Sequence, residues 1–359
     1  MKILVVRFKQ IGDAILASVI CDTLKKTFPD AVIDYVLYDF VTPIFENHHS
    51  INRVISIDKG IRNNFFKYIK FVWNVTRKEK YDIVIDIMAT PKSELFTLFS
   101  WSAKLRIGRF KKWRGYSYTH KIKESKNAKD KCWKFLSMLK PIEELGYELD
   151  YVDKFIINIT ESEKNILKNR MKNAGLDFRE KITAFAINSR RPEKIYPKEY
   201  MKELIILYMK KNPKVQIVFF YSPDELEYAL NMHEELKEFD KGLNEKDDNK
   251  GFSKRIFSNI TTKSIRELAM LLKNCDYFIG NEGGPRHLAQ GVGTQSFAIF
   301  SPKSKKRDWM PVGDIKHTAI EPEDFVKEGV ISKEKYDGLS YEEKYKVMTP
   351  SRILEKISM

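Results

Sequence analysis

Five constellations in this chain place chemically capable residues at useful spacings. The first is Phe8-Lys-Gln-Ile-Gly-Asp13. Gly12 lets the backbone turn toward a ligand, and Asp13 opens a helix, where the dipole stabilises an ionised carboxylate. Such a group acts as a general base when a substrate hydroxyl comes within about 2.6–3.2 Å; the alternative is a plain helix cap. The second is Asp276-Tyr-Phe-Ile-Gly-Asn-Glu-Gly-Gly-Pro-Arg-His287-Leu-Ala. Adjacent Gly283 and Gly284 leave amide N–H groups unscreened at a helix started by Pro285, an anion site suited to a diphosphate. Arg286 and His287 fall in the first turn, where the dipole disfavours a cation, so they ask for a negative partner. Glu282 can accept from sugar or ribose hydroxyls. A tight turn with a structural histidine is the competing reading.

The third, Asn188-Ser-Arg-Arg-Pro-Glu-Lys-Ile-Tyr-Pro197, offers Ser189, Arg190 and Lys194 to a phosphate; a solvated basic loop is the alternative. The fourth, Tyr221-Ser-Pro-Asp-Glu-Leu-Glu227, provides Asp224 and Glu225 for a ribose diol, or simply as first-turn acids. The fifth is residues 104–134, with 12 basic and 2 acidic residues (net +10) and Trp113, Tyr116, Tyr118 and Trp133 among them. It suits phosphates of an acidic acceptor or a membrane surface, with Lys9, Arg109, Lys111, Lys112 and Arg114 as candidate acceptor contacts; solvated charge is equally compatible.

Elements must hold these groups in place. Lys2–Phe8 reads as a strand, Ala14–Phe28 as a helix and Ala31–Leu37 as the next strand. Strands follow at Arg53–Ile57 and Tyr81–Ile87, around a helix near Asn63–Arg77. The rhythm restarts with a strand at Thr183–Asn188, helix Pro197–Lys211, strand Val215–Tyr221 and helix Pro223–Leu236. Helix Ile265–Lys273 and strands Asp276–Asn281 and Gln295–Ser301 complete it. Alternation of this kind predicts parallel sheets covered on both faces, two Rossmann-like halves in series. Tyr151–Thr160 reads as the connection, followed by a helix over Glu161–Asn173. The expected domains are 1–160 and 161–346, with a C-terminal helix over 347–359 packing back on the first. Phe239–Lys254 and Lys333–Lys346 are charged and aperiodic, and the former reads as a surface loop or disordered insertion.

The 359 residues carry 64 Lys and Arg against 49 Asp and Glu, a net +15, with 43% hydrophobic residues. That composition excludes bulk disorder and favours anionic partners. Three separated cysteines without a CxxC pair argue against a disulfide framework or zinc cage. The opening apolar run is too short for a signal peptide, so a cytoplasmic protein is expected. No metal is expected either, since no DxD-type pair sits at a strand end and Asp247-Asp248 lies in the charged segment.

Three segments together make the chain resemble glycosyltransferase family 9, the heptosyltransferases of lipopolysaccharide core assembly. Gln10-Ile-Gly-Asp13 is similar to the family's x-x-G-D loop. Ser189-Arg190 with Lys194 and Pro197 resembles its S-R-x-x-K-x-W-P segment, with Tyr196 in place of Trp. Asp276–Ala289 resembles its D-x-x-x-x-x-D-T-G-x-x-H-x-A signature, with Glu282-Gly283 replacing Asp-Thr. The resemblance implies an α/β GT-B fold, two Rossmann-like domains facing across a cleft. It implies inverting transfer of a heptose from ADP-heptose to a lipopolysaccharide or lipooligosaccharide core acceptor, with Asp13 as base. Ser189 and Lys194 would bind the diphosphate, Glu282, Gly283, Gly284 and His287 the donor's sugar and phosphates, and Asp224 or Glu225 the ribose. The expected partners are that nucleotide sugar and an anionic glycolipid, with peripheral contact at the inner face of the inner membrane and no nucleic acid. Two other readings stand beside it: a GT-B enzyme using another nucleotide sugar (a hexosyltransferase or epimerase), and a basic nucleic-acid-binding protein.

Overall fold

The computed structural model describes residues 1–8, 11–125, 128–311 and 314–357. The chain divides into two compact units, Met1–Asn158 and Ile159–Met359. The first contains β1 (Lys2–Val6), β2 (Val32–Tyr38), β3 (Arg53–Ile57), β4 (Ile83–Asp86), β5 (Leu105–Arg109) and β6 (His120–Ile122). They form one parallel sheet in the order β3-β2-β1-β4-β5-β6. The second contains β7 (Ile182–Ala186), β8 (Gln216–Phe219), β9 (Ile256–Phe257), β10 (Tyr277–Asn281), β11 (Gln295–Ile299) and β12 (His317–Ile320). Its order, β12-β11-β10-β7-β8-β9, is the same winding, again parallel throughout. β4, β7 and β10 are buried along their whole length, as strands covered on both faces must be.

In each unit the strand order reverses at one point, between β1 and β4 and between β7 and β10. Ligands of open α/β sheets bind beyond the carboxyl ends of the strands there. The loops after β1, β7 and β10 are the first, third and second constellations.

Several expectations are corrected. The helix expected over Ala14–Phe28 is two helices, Ile11–Ala17 and Val19–Thr27, parted at Ser18. The Ser18 hydroxyl donates back to the Ile15 carbonyl at 2.8 Å and competes with the helical ladder. β6, β9 and β12, only three, two and four residues long, carry too little periodicity to be read. Phe239–Lys254 is no disordered insertion: the helix Leu226–Gly242 runs into it, and buried Asp240 accepts from the amides of Gly251 (2.7 Å) and Ser253 (3.1 Å). Phe252 seals it from within.

The C-terminal helix is also corrected. Pro350–Lys356 belongs to the second unit, where it packs on the helix Lys198–Lys211 and joins Met348, Ile353 and Ile357 to that unit's core. Apolar Ile353 and Ile357 need a hydrophobic partner, and Met201, Leu204 and Ile205 provide it. Among the described residues no helix is long and apolar enough to cross a membrane.

Candidate functional site

The second unit's switch point is built from the loops after β7 and β10. Gly283 has φ +145°, a backbone that side-chain-bearing residues rarely adopt, and it caps the helix Gly284–Val292 with Pro285 in its first turn. Facing this start, Lys194 Nζ lies 2.8 Å from Glu282 Oε2, with the Glu282 side chain only 3% exposed. The other carboxylate oxygen, Oε1, accepts from the Ser301 hydroxyl at 2.8 Å and its amide at 3.2 Å. Glu282 therefore anchors Lys194 and is tied to Ser301, while Oε2 keeps acceptor capacity beyond its one contact.

The Lys194 loop is braced from behind. Asn281 Oδ1 accepts from the Tyr196 amide at 2.9 Å, and Tyr345 OH donates to the Lys194 carbonyl at 3.0 Å. Tyr341 OH donates to the Glu193 carbonyl, and Tyr196 OH to that of Met348. The stretch that the sequence left aperiodic therefore contributes Tyr341 and Tyr345, which fix the Lys194 loop. Ser189 Oγ accepts from the Arg191 amide at 3.4 Å, and Arg190 is exposed beside it. Asn188 Oδ1 is buried without a hydrogen-bond partner among the described residues.

His287 and Arg286 do not stand as a pair of cations. Burial first, then the charges of Arg286 and Lys194, hold His287 well below the ordinary histidine range, so the ring is neutral. Arg286 Nη2 donates to His287 Nδ1 at 2.7 Å and to the Trp309 carbonyl at 2.8 Å, and Nη1 to Gln290 Oε1 at 2.9 Å. A ring accepting at Nδ1 carries its proton on Nε2 and is a neutral donor there. After β8, Glu225 Oε2 accepts from the Ser222 amide and hydroxyl, both at 2.8 Å. That capping box engages one carboxylate oxygen of Glu225; Asp224 is exposed beside it.

In the first unit, Asp13 follows β1 within the helix Ile11–Ala17, and its Oδ2 lies 2.9 Å from Arg7 Nη2. Arg7 stacks over Phe135 at 5.4 Å, and its Nε is buried without a hydrogen-bond partner among the described residues. Lys131 is pushed down by burial and by the charges of Arg7 and Arg109, against support from Asp13 and Glu124. Arg109 Nη2 meets Glu124 Oε2 at 2.9 Å. Asp13 thus lies by Arg7 and Lys131, and the Arg109–Glu124 pair also borders Lys131. Sequence reasoning named Asp13 and Arg109 but missed Arg7 and Lys131, whose only signal is charge beside the motif. Lys9 and Gln10 lie outside the described residues.

Lys111, Lys112 and Arg114 stand on the loop after β5. That loop is tied at Tyr118, whose hydroxyl donates to Asp86 Oδ2 at 2.7 Å at the end of β4. Asp86 Oδ1 accepts from the amides of Met88 (2.9 Å) and Ala89 (3.1 Å). Gly108 makes room, because a Cβ there would lie 2.2 Å from the Tyr118 ring.

A third cluster escaped the sequence reading. Asp22 Oδ1 lies 3.3 Å from His49 Nε2 and 3.9 Å from His48 Nε2, and the two imidazoles stack at 5.0 Å. The Ser50 amide donates to His48 Nδ1 at 3.3 Å, which puts the neutral ring's proton on Nε2, toward Asp22. That nitrogen has no lone pair for a cation, so the trio reads as a buried acid–histidine contact. Burial pushes Asp22 up to about 6, against the Ser50 hydroxyl and the His49 charge, and pushes His48 down to about 4.

Two doubly wound parallel α/β units are the architecture of glycosyltransferases of the GT-B class. Residues 71–324 match the family model for glycosyltransferase family 9 (heptosyltransferase), and the chain belongs to that family. A lipopolysaccharide heptosyltransferase 1 from Campylobacter coli is 24% identical over 324 residues, covering 86% of each chain. The structure of Escherichia coli ADP-heptose LPS heptosyltransferase II superposes with a TM-score of 0.71 at 20% identity, covering 99% of this chain and 97% of that one. An E. coli heptosyltransferase with ADP-2-deoxy-2-fluoro heptose gives 0.66 at 17% identity, covering 99% and 98%.

Proposed function

We propose that the chain is an inverting heptosyltransferase that moves a heptose from ADP-heptose to a lipopolysaccharide or lipooligosaccharide core acceptor, with Asp13 as general base. Family membership and the relatives' substrates support the sugar and the acceptor. One observation carries the chemistry: the second unit's switch point holds a Gly-Gly helix start beside a braced lysine; the first unit's holds a carboxylate paired with arginine.

The acceptor O–H gives its proton to Asp13 while its oxygen bonds the anomeric carbon. The bond from that carbon to the ADP phosphate breaks, and its electron pair leaves with ADP. A single in-line displacement inverts the centre. The diphosphate's growing charge is met by the amides at Gly283 and Gly284 and by Lys194. Ser189, Arg190 and the neutral His287 complete the phosphate side, and Asp224 takes the ribose. Arg109, with Lys9, Lys111, Lys112 and Arg114, receives the anionic acceptor at the inner face of its membrane. The transfer needs both strand ends to act on one donor.

No obligatory metal is part of this reading, because Lys194 and the helix start supply the positive charge; turnover is expected to persist in EDTA. Nucleic acid has no part either, and a duplex titration at physiological salt should show no micromolar binding. Glu282, which anchors Lys194, and Asn188 Oδ1, unpartnered among the described residues, are the candidate acceptors of sugar hydroxyls. Tighter binding of UDP- or GDP-sugars than of ADP-heptose would move the reading to another GT-B donor. The base is tested by Asp13→Asn, measured with ADP-heptose and a core acceptor. Turnover should fall by about 10²–10⁴ while donor affinity holds; near-normal turnover refutes the assignment.

A further inference from the structure

The helix Phe65–Glu79 turns Tyr68, Val72 and Thr76 inward, toward the first unit's core. Its opposite face is unusual. Phe66, Lys70, Trp73 and Arg77 recur at i, i+4, i+7 and i+11, one continuous stripe, and all four are exposed. Phe66 is 81% exposed. A solvent-facing stripe ordinarily holds charge without large aromatics. Here the aromatics continue onto the neighbouring helix Pro91–Phe99 and beyond it. Trp73 meets Phe99 at 5.3 Å and Trp101 at 5.9 Å, and Trp101 is 55% exposed. Arg77 lies 4.2 Å over Trp101 and 5.3 Å over Trp73, holding both indoles at the surface.

The exposed charges of the helix Phe65–Glu79, Lys67, Lys70, Arg77 and Lys78, are all basic, and its one acid, Glu79, is engaged by Lys2 and Arg53. The loop after β5 extends this charge: residues 110–123 hold five basic residues and no acid, with Trp113 and Tyr116 exposed. Arg106 joins the two, donating to the carbonyls of Trp101 (2.8 Å) and Ser117 (2.7 Å).

We infer that this face, the Phe66–Arg77 stripe with Trp101 and its flanking lysines, docks on the surface of an anionic lipid bilayer. Tryptophan and phenylalanine rings sit at headgroup depth while lysine and arginine pair with lipid phosphates above them. Aromatics and cations are interleaved here, so one orientation satisfies both. Charge complementarity selects an anionic surface over a zwitterionic one. The inference rests on the proposed glycolipid acceptor only for its setting; it deepens that reading by locating the docking face on elements distinct from Asp13 and the donor loops.

The test uses the full chain with vesicles of phosphatidylcholine, with and without phosphatidylglycerol, read by co-flotation. Wild type should float with the anionic vesicles and be released by high salt. Lys67→Gln/Lys70→Gln should weaken partitioning by about thirty-fold, at about fivefold per lysine. Phe66→Ser should weaken it as well, and its residual binding should be more salt-sensitive. Both variants should keep wild-type ADP-heptose affinity and wild-type turnover on a lipid-free core acceptor, so a failed transferase reading and a failed docking reading are distinguishable. Wild type that ignores anionic vesicles, or variants that bind them equally well, overturn the inference. So does a single-stranded oligonucleotide that binds this face while vesicles do not.

Discussion

Removing the Lys194 ammonium tests the donor loop in both its roles. Lys194 Nζ stands 2.8 Å from Glu282 Oε2, and the two side chains are 19% and 3% exposed. Lys194→Ala leaves a buried carboxylate with Ser301 on one oxygen and nothing on the other. Breaking one side of a buried pair costs about 3–5 kcal/mol. Lys194 is partly open to water, which places this loss near the lower end, at about 3 kcal/mol. Lys194→Met with Glu282→Gln removes the stranded charge together with its partner, and most of that stability should return, to within about 1 kcal/mol of wild type. Catalysis should not return, because neither variant places a cation on the leaving diphosphate, and turnover should stay down by about 10²–10³. Urea unfolding and steady-state turnover on the single and double variants measure both effects. A Lys194→Ala enzyme as stable as wild type, or a double variant with restored turnover, would refute the reasoning.

Three further outcomes follow from the geometry. Gly283→Ala forces a side chain onto φ +145° and should cost about 1–3 kcal/mol by urea unfolding, with weaker ADP binding by titration. Gly108→Ala would set a Cβ 2.2 Å from the Tyr118 ring and drive the tyrosine off Asp86; thermal unfolding should fall, and Tyr118→Phe in the same background should cost little more. Asp22 has a folded value of about 6 against 3.8, so its charged form is the disfavoured one: it costs stability above about 6, and that cost fades as pH falls toward 3.8. Asp22→Asn should therefore gain about 3 kcal/mol at about pH 8 and little at about pH 4, read by urea unfolding across pH.

Much of this was legible in the sequence where the determinants are local. The helices Glu161–Asn173 and Ile265–Lys273 begin where expected because Thr160 with Glu163, and Ser264, cap them within a single turn. The strand–turn–helix loci of Asp13 and Gly283 follow from short-range pattern as well. What escaped depends on partners far apart in the chain. Nothing local says that Glu282 will bind Lys194, 88 residues away, or that Tyr341 and Tyr345 will brace residues 193 and 194. Arg7 was visible as a charge but not as the partner of Asp13, since the intervening turn decides that contact. Glu225 was legible only in part: its motif fits a ribose ligand and a capping box alike, and the Ser222 contacts show the capping box. The C-terminal helix misled because its apolar face declares that it docks, without declaring where.

In the proposed reaction a nucleotide diphosphate rests on the helix start at Gly283 and Gly284. Isothermal titration of the full chain with ADP-heptose, ADP and UDP-sugars, repeated with Gly283→Ala, addresses it most directly. Saturable binding of ADP-heptose and ADP in preference to UDP-sugars, lost or strongly weakened in the variant, is the predicted result. Undiminished ADP-heptose binding by a folded Gly283→Ala protein would contradict it.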